Sequence, residues 1–278
     1  MSWKHSERSV IIEARRKIFP FIFIEMFSFR DLLYFLTWRD LKVRYKQTVI
    51  GVAWVFFRPL IMMVVFTIFF GKFVGIQSEG IPYPIFVYTG LLLWQFFSDS
   101  ISEISGSLVG NQSLITKIYF PRLLLPISAV ATRLVDFLLA SLIFLGMMVY
   151  YRYVPGIESL VIIPFLVFLT ALLATGLGSF LAALNVQYRD VRYILPFFIQ
   201  GLFFITPVIY PTSIVDRYAW LLSLNPMTGI IDASRAVLLH QTPIHWEYVL
   251  LSTLLTGFSL IFGLWYFFRA EQKFADVI

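Results

Sequence analysis

Six apolar runs, each long enough to cross about 30 Å of hydrocarbon at about 1.5 Å per residue, dominate this chain. They lie at about 49–74, 84–104, 123–151, 160–186, 193–210 and 248–268. Hydrocarbon offers no water to the backbone, so each run must satisfy its own N–H and C=O groups by forming a helix. Composition agrees, with 59% hydrophobic and 14% charged residues, where about a quarter of a soluble domain is charged. The expected fold class is an all-α polytopic membrane protein with six transmembrane helices.

The stretch 29–46 leads into the first run. At about 100° per residue, Tyr34, Trp38, Leu41 and Tyr45 fall on one side of a helix, with Arg39, Lys42 and Lys46 along its flank. That pattern predicts an N-terminal amphipathic interface helix at the membrane surface, rings inward and cationic heads among the headgroups. It joins the first span without a proline or a long polar linker, so force from below the membrane has a route into the span. Residues 1–28 carry Lys4, Arg8, Arg15, Arg16 and Lys17, and a short apolar patch broken by Pro20. The patch is too short for a span and has no small-residue cleavage site after it, so 1–28 is expected to be a cytosolic segment, not a signal peptide. Residues 29–278 then form a single transmembrane domain.

Six spans put both termini on one side, and charge says which. The N-in, C-in arrangement places 16 of the 22 Lys and Arg residues on the cytosolic face and 4 (Lys72, Arg152, Arg217, Arg235) on the other, the bias expected of cytoplasmic loops. The net charge of +6 is therefore an orientation signal and does not point to nucleic acid. Two outer loops are short. The third outer segment, 211–247, mixes apolar runs with Pro, Asn and charges, and is expected to form two short helices broken at Asn225-Pro226 that re-enter the outer leaflet. An ordinary amphipathic surface loop is the alternative. The fourth span carries a small-residue stripe, Ala171, Ala174, Gly178 and Ala182, which predicts a close helix contact.

Catalytic chemistry is hard to find. Gly71-Lys72 precedes Phe73 and lacks the glycine-rich loop of a phosphate cradle, so ATP is not expected on this chain. The absence of cysteine removes thiolate chemistry, and His5, His240 and His245 have no ligand cluster, so no metal site is expected. Intramembrane charges are costly and are expected to face protein or water. Arg133 and Asp136, three apart, are expected to pair on one helix face; a proton relay there lacks a second buried carboxylate. Asp99 and Glu103 share a face and are expected to be solvated at the cytosolic end of the second span. Arg58, before Pro59, either snorkels to the interface or meets an anionic group such as a lipid-linked pyrophosphate. Many of the 30 phenylalanines fill helix contacts or face lipid. Those on the first and fifth spans, with Trp54, are candidates for walling a sugar conduit, because pyranose C–H faces stack on rings.

Three stretches resemble a known family: LLYFLTWRDLKVRYKQTVIGVAWVFFRPL, LVGNQSLITKIYFPRLLLP, and ALNVQYRDVRYILPFFIQGLFFITPVIYP running on to LNPMTGIIDASRAVLL. In order over 32–239, they look like the membrane subunits of ABC-2 type polysaccharide exporters for O-antigen, capsule-like polymers and teichoic acid. The resemblance implies the permease subunit of an exporter moving lipid-linked polysaccharide, and no enzyme activity of its own. ATP and Mg would sit on a separate chain. The implied assembly is a homodimer with two copies of an ABC ATPase in the bacterial inner membrane, acting on undecaprenyl-pyrophosphate-linked glycan.

The resemblance also implies roles for residues. The coupling loop 111–122 (Asn111, Leu114, Lys117, Tyr119, Arg122), the interface helix (Arg39, Lys42) and the turn Tyr188, Arg189 and Asp190 would meet the ATPase. Trp54, Phe57, Arg58, Phe66, Phe69, Phe197 and Phe204 would line the channel. Residues 207–239, with Pro207, Tyr210, Pro211, Asn225, Pro226 and Arg235, would form outer gate helices. Alternatives are export of a small lipid or drug by the same architecture, an ATPase-independent carrier, which should show inverted repeats, or a membrane enzyme, for which Asp99 and Glu103 are the candidate acid/base pair.

Overall fold

The computed structural model describes residues 26–46, 51–188, 190–214, 219–240 and 243–277. Most of the segment 1–28 and Arg189 therefore lie outside the described residues. Helix α1 (Arg30–Lys46) forms where an interface helix is expected; α2 (Gly51–Phe66) continues as a π-helix over Thr67–Phe73. Then come α3 (Tyr83–Gly110), the short α4 (Gln112–Lys117), α5 (Leu124–Tyr151), α6 (Ser159–Gln187) and α7 (Val191–Ile205). Two further helices, α8 (Ala219–Ser223) and α9 (Pro226–Leu239), precede the long α10 (Trp246–Val277).

Among the described residues, four helical stretches are long and apolar enough to cross a membrane: Gly51–Phe73, α5, α6, and Trp246–Gln272 of α10. The other two expected spans differ in instructive ways. Helix α3 has 28 residues, or about 42 Å, but it is the central helix, packed on both α5 and α6. A helix enclosed by others meets protein instead of lipid, so it carries Ser98, Asp99, Ser100 and Glu103 where a lipid-facing helix stays apolar. Helix α7 has 15 residues, not the 18 of 193–210, and at about 22 Å it falls short of the hydrocarbon thickness.

The core follows one line of packed helices, α5 on α3, α3 on α6 and α6 on α10, with α9 lodged against α3, α6 and α10. Close approach at α6 depends on its small residues. A Cβ added at Gly176 would lie 2.7 Å from the Leu260 backbone of α10, and one at Gly178 would lie 2.8 Å from Ile104 of α3. Ala174 and Ala182 are fully buried, so the small-residue stripe makes the expected contact. Gly176 adds a second contact, on the face toward α10. Helix α2 is the contrast: Pro59 and Phe66 are its buried residues. Pro59 sits inside α2 without ending it.

Helix α1 lies against α5. Its buried residue is Leu36; Tyr34 and Trp38 are exposed, so those two rings of the aromatic row turn away from the bundle, while the half-buried Tyr45 turns toward it. The outer segment breaks at Asn225-Pro226 as expected: the Asn225 side chain accepts from the Met227 N–H at 3.1 Å and Pro226 opens α9, each satisfying or removing a donor left free at a helix start.

Candidate functional site

Where α1, α2, α3 and α5 meet, a cavity of about 360 Å³ is lined by Arg44, Arg58, Asp99, Arg133 and Asp136 among apolar walls that include Trp54 and Phe137. Arg58 of α2 donates from Nη1 to both oxygens of Asp99 on α3, at 2.9 and 2.8 Å. Arg44 of α1 bridges two helices, donating to Glu103 of α3 at 2.9 Å and to Asp136 of α5 at 2.5 Å. Between them stands Arg133, which donates to Glu103 and Asp136 and lies 3.7 Å from Asp99. The Tyr45 hydroxyl donates to Asp136; burial and that bond raise its pKa well above the ordinary value, so it remains a donor.

Three guanidiniums thus meet three carboxylates. The Arg133–Asp136 pair is present as expected, but two sequence readings are corrected. Asp99 and Glu103 are ion-paired partners of arginines and are not merely solvated, and Arg133 and Asp136 do have further carboxylates beside them. Sequence reasoning missed Arg44 because it was one of ten N-terminal basic residues with nothing local to single it out; its partners lie 59 and 92 positions away.

The aromatic candidates divide. Trp54, Phe57 and Phe69 on α2 and its π continuation, and Phe197 and Phe204 on α7, are all exposed, Phe197 at 77%. Phe66 is buried: it stacks on Phe203 at 5.6 Å between centroids, and Trp94 of α3 lies 5.6 Å from the same ring. Phe66 therefore joins α2 to α7 within one chain. It offers little surface to a passing ligand.

Near the middle of α1, Arg39 pairs with Asp40 and donates to the Asn111 side chain at 2.8 Å. This bond ties the interface helix to the start of α4. Lys42, Lys117, Tyr119, Tyr188 and Asp190 are exposed, and Leu114 is half-buried. Arg122 is placed differently. It donates to the Glu271 carbonyl and lies over the Phe274 ring at 5.7 Å, so it is turned inward against α10.

After α7, Pro207 and Pro211 are buried, and the Tyr210 hydroxyl caps the end of α7 by donating to the Ile205 carbonyl at 2.9 Å. Asn225 donates to Thr206 at 2.7 Å, joining α9 to the same end. Arg235, counted by sequence among the charges of the outer face, is 4% exposed. It donates to the carbonyls of Pro207 at 2.7 Å and Val208 at 2.6 Å. Gly90 of α3 makes room for it, since a Cβ there would lie 2.6 Å from its Nη2. Burial lowers its pKa to about 10, which leaves it charged at neutral pH.

The profile of ABC-2 type transporters matches residues 31–239. This chain belongs to that family. The ABC-2 match begins in α1 and ends with α9, so it takes in the ionic cavity, the aromatic helices and the outer pair α8 and α9. Similar proteins include the O-antigen export system permease protein RfbA of Klebsiella pneumoniae, 29% identical over 250 residues that cover 89% of this chain and 95% of the relative. A protein of the same name from Myxococcus xanthus is 32% identical over 224 residues, 79% of this chain and 85% of the relative. The polysialic acid transport protein KpsM of Escherichia coli is 21% identical over 231 residues, 79% and 87% of the two chains.

Proposed function

We propose that this chain is the channel-forming permease subunit of an ATP-driven exporter, moving undecaprenyl-pyrophosphate-linked polysaccharide of the O-antigen kind across the bacterial inner membrane. The observation that carries this reading is the likeness over 89% of the chain to a relative named as an O-antigen export permease. The exposed rings of α2 and α7 support it. A second copy of this chain, facing the first across those helices, would complete an aromatic-walled channel on which sugars stack and slide without one deep trap. A polysaccharide is too long for an enclosed pocket, so a continuous channel with stepwise movement suits it.

In this reading both termini are cytosolic, and two copies of an ABC ATPase, carrying ATP and Mg, seat on α4, on the Lys42 side of α1 and on the Tyr188 turn. ATP closure pushes these elements, and α8 and α9 form the outer gate. Arg58 borders the entrance, its guanidinium held by Asp99.

The test is reconstitution. Purified from native membranes in mild detergent, the chain should bring a soluble ATPase with it in equal amount, and the pair in proteoliposomes should move lipid-linked glycan only with ATP. Transport by this chain alone, or a stable oligomer with no ATPase attached, would overturn the reading in favour of a carrier.

A further inference from the structure

The first span is loosely held. Among its described residues Pro59 and Phe66 are buried, and part of its remaining inner face borders the ionic cavity instead of packed side chains. The peptide link to α1 acts on the first turn of α2. Arg58 lies about two turns further in, and there the polar tie is its pairing with Asp99 of α3. Across the cavity, Arg44 ties α1 to Glu103 and Asp136. Arg133 connects the two ties, touching Glu103, Asp136 and Asp99. A continuous row of ion pairs therefore runs from the interface helix to the middle of the first span.

We infer that this row, Arg44 to Glu103 and Asp136, through Arg133 to Asp99 and Arg58, is the link that passes movement of α1 into the first span. Arg44, Arg133 and Asp99 are then positioning residues for transport. The inference rests on the transporter reading above.

The chemistry of the row fits a link that yields. Three cations balance three anions, and Arg133 lies within reach of all three carboxylates. A guanidinium moving from one carboxylate toward the next leaves neither charge bare, so rearrangement avoids the large penalty of an unpaired charge in a low-dielectric site. The planar fork lets one arginine hold two acids on different helices at once, which a lysine ammonium does poorly. The cavity gives the side chains room to shift. Static cohesion alone is served as well by apolar packing, since buried ion pairs are weak glue compared with hydrophobic residues of the same volume. An ionic seam at the most sparsely buried of the four candidate spans is better suited to motion.

The chain has no cysteine, so labels can be placed freely. Val64→Cys on α2 and Leu145→Cys on α5 are exposed sites outside the row, and spin labels there report the first span against the bundle. With the partner ATPase in proteoliposomes, ATP should shift the label distance. Arg44→Lys keeps the charge but cannot bridge Glu103 and Asp136, so it should leave assembly and ATP hydrolysis within about twofold while distance change and transport fall at least about fivefold. Arg58→Asp and Asp99→Arg should each abolish transport, and together restore it in good part.

Full distance change and transport in both Arg44→Lys and Arg133→Gln would overturn the inference. So would a combined Arg58→Asp, Asp99→Arg protein that assembles but does not transport; this decides the matter even where the single variants fail to assemble. Wild-type protein that neither binds an ATPase nor transports counts instead against the transporter reading.

Discussion

The guanidinium of Arg235 lies over the ring of Phe86 with its carbon 3.7 Å from the ring centroid, a cation–π contact made in the interior and not at the surface. The same side chain donates to the carbonyls of Pro207 and Val208, which follow α7 and would otherwise be buried acceptors without a donor. Arg235→Met should therefore destabilise the protein by on the order of 3 kcal/mol, from three charge-assisted bonds lost, one of them to the Phe86 carbonyl, and the Pro207 and Val208 carbonyls left unsatisfied. Thermal unfolding in detergent checks this, with Arg235→Lys losing less than Arg235→Met. An unchanged Tm in Arg235→Met would contradict it.

Gly176 and Gly146 make a matched pair. A Cβ at 176 meets the backbone of α10, which cannot step aside, whereas nothing lies within 4 Å of a Cβ at 146. Gly176→Ala should cost about 1–3 kcal/mol, and Gly146→Ala should be neutral or stabilising by a fraction of a kcal/mol. Comparing the two Tm values tests whether close approach of α6 and α10, and not glycine content, sets stability.

Lys117 and Tyr119 are exposed while Arg122 is turned against α10. Lys117→Glu with Tyr119→Ala should cut the co-purifying ATPase at least about tenfold, the equivalent of about 1.4 kcal/mol of binding, with Tm unchanged. Arg122→Ala should do the reverse, lowering Tm while retaining ATPase in whatever protein remains folded. Quantifying both chains on one gel after pull-down separates these outcomes.

Asn225 performs two jobs, capping α9 through the Met227 N–H and reaching back to Thr206 at the end of α7. Asn225→Asp keeps the cap and loses the amide donor to Thr206, whereas Asn225→Ala loses both. The alanine variant should cost about 1 kcal/mol more than the aspartate variant. Protease cutting of intact spheroplasts within 207–239 should rise in the same order.

How much of this could be read beforehand depended on how local the cause was. Spans rest on composition within a window, so α2, α5, α6 and α10 were legible, and so was the break at Asn225-Pro226, where cap and proline are neighbours. The shortness of α7 was not, because residues 206–210 are as apolar as the helix before them, and Tyr210 turns back to cap it. The ionic row escaped because its members come from four helices, and a charge in a sequence does not announce a partner 92 positions away. Phe66 and Phe197 look alike as letters; which one is enclosed depends on Phe203 and Trp94 arriving from other helices.

The close contact at Gly176 also decides where work can be done in the bundle. Two helices that touch backbone to backbone cannot slide or roll without a clash, so α6 and α10 act as one stiff post, with α3 fastened to it through Gly178. Any stroke has to be taken up on the opposite side. There α2 rests on a proline, an aromatic stack and an ion pair, side-chain contacts in place of the backbone contact that seals α6 to α10.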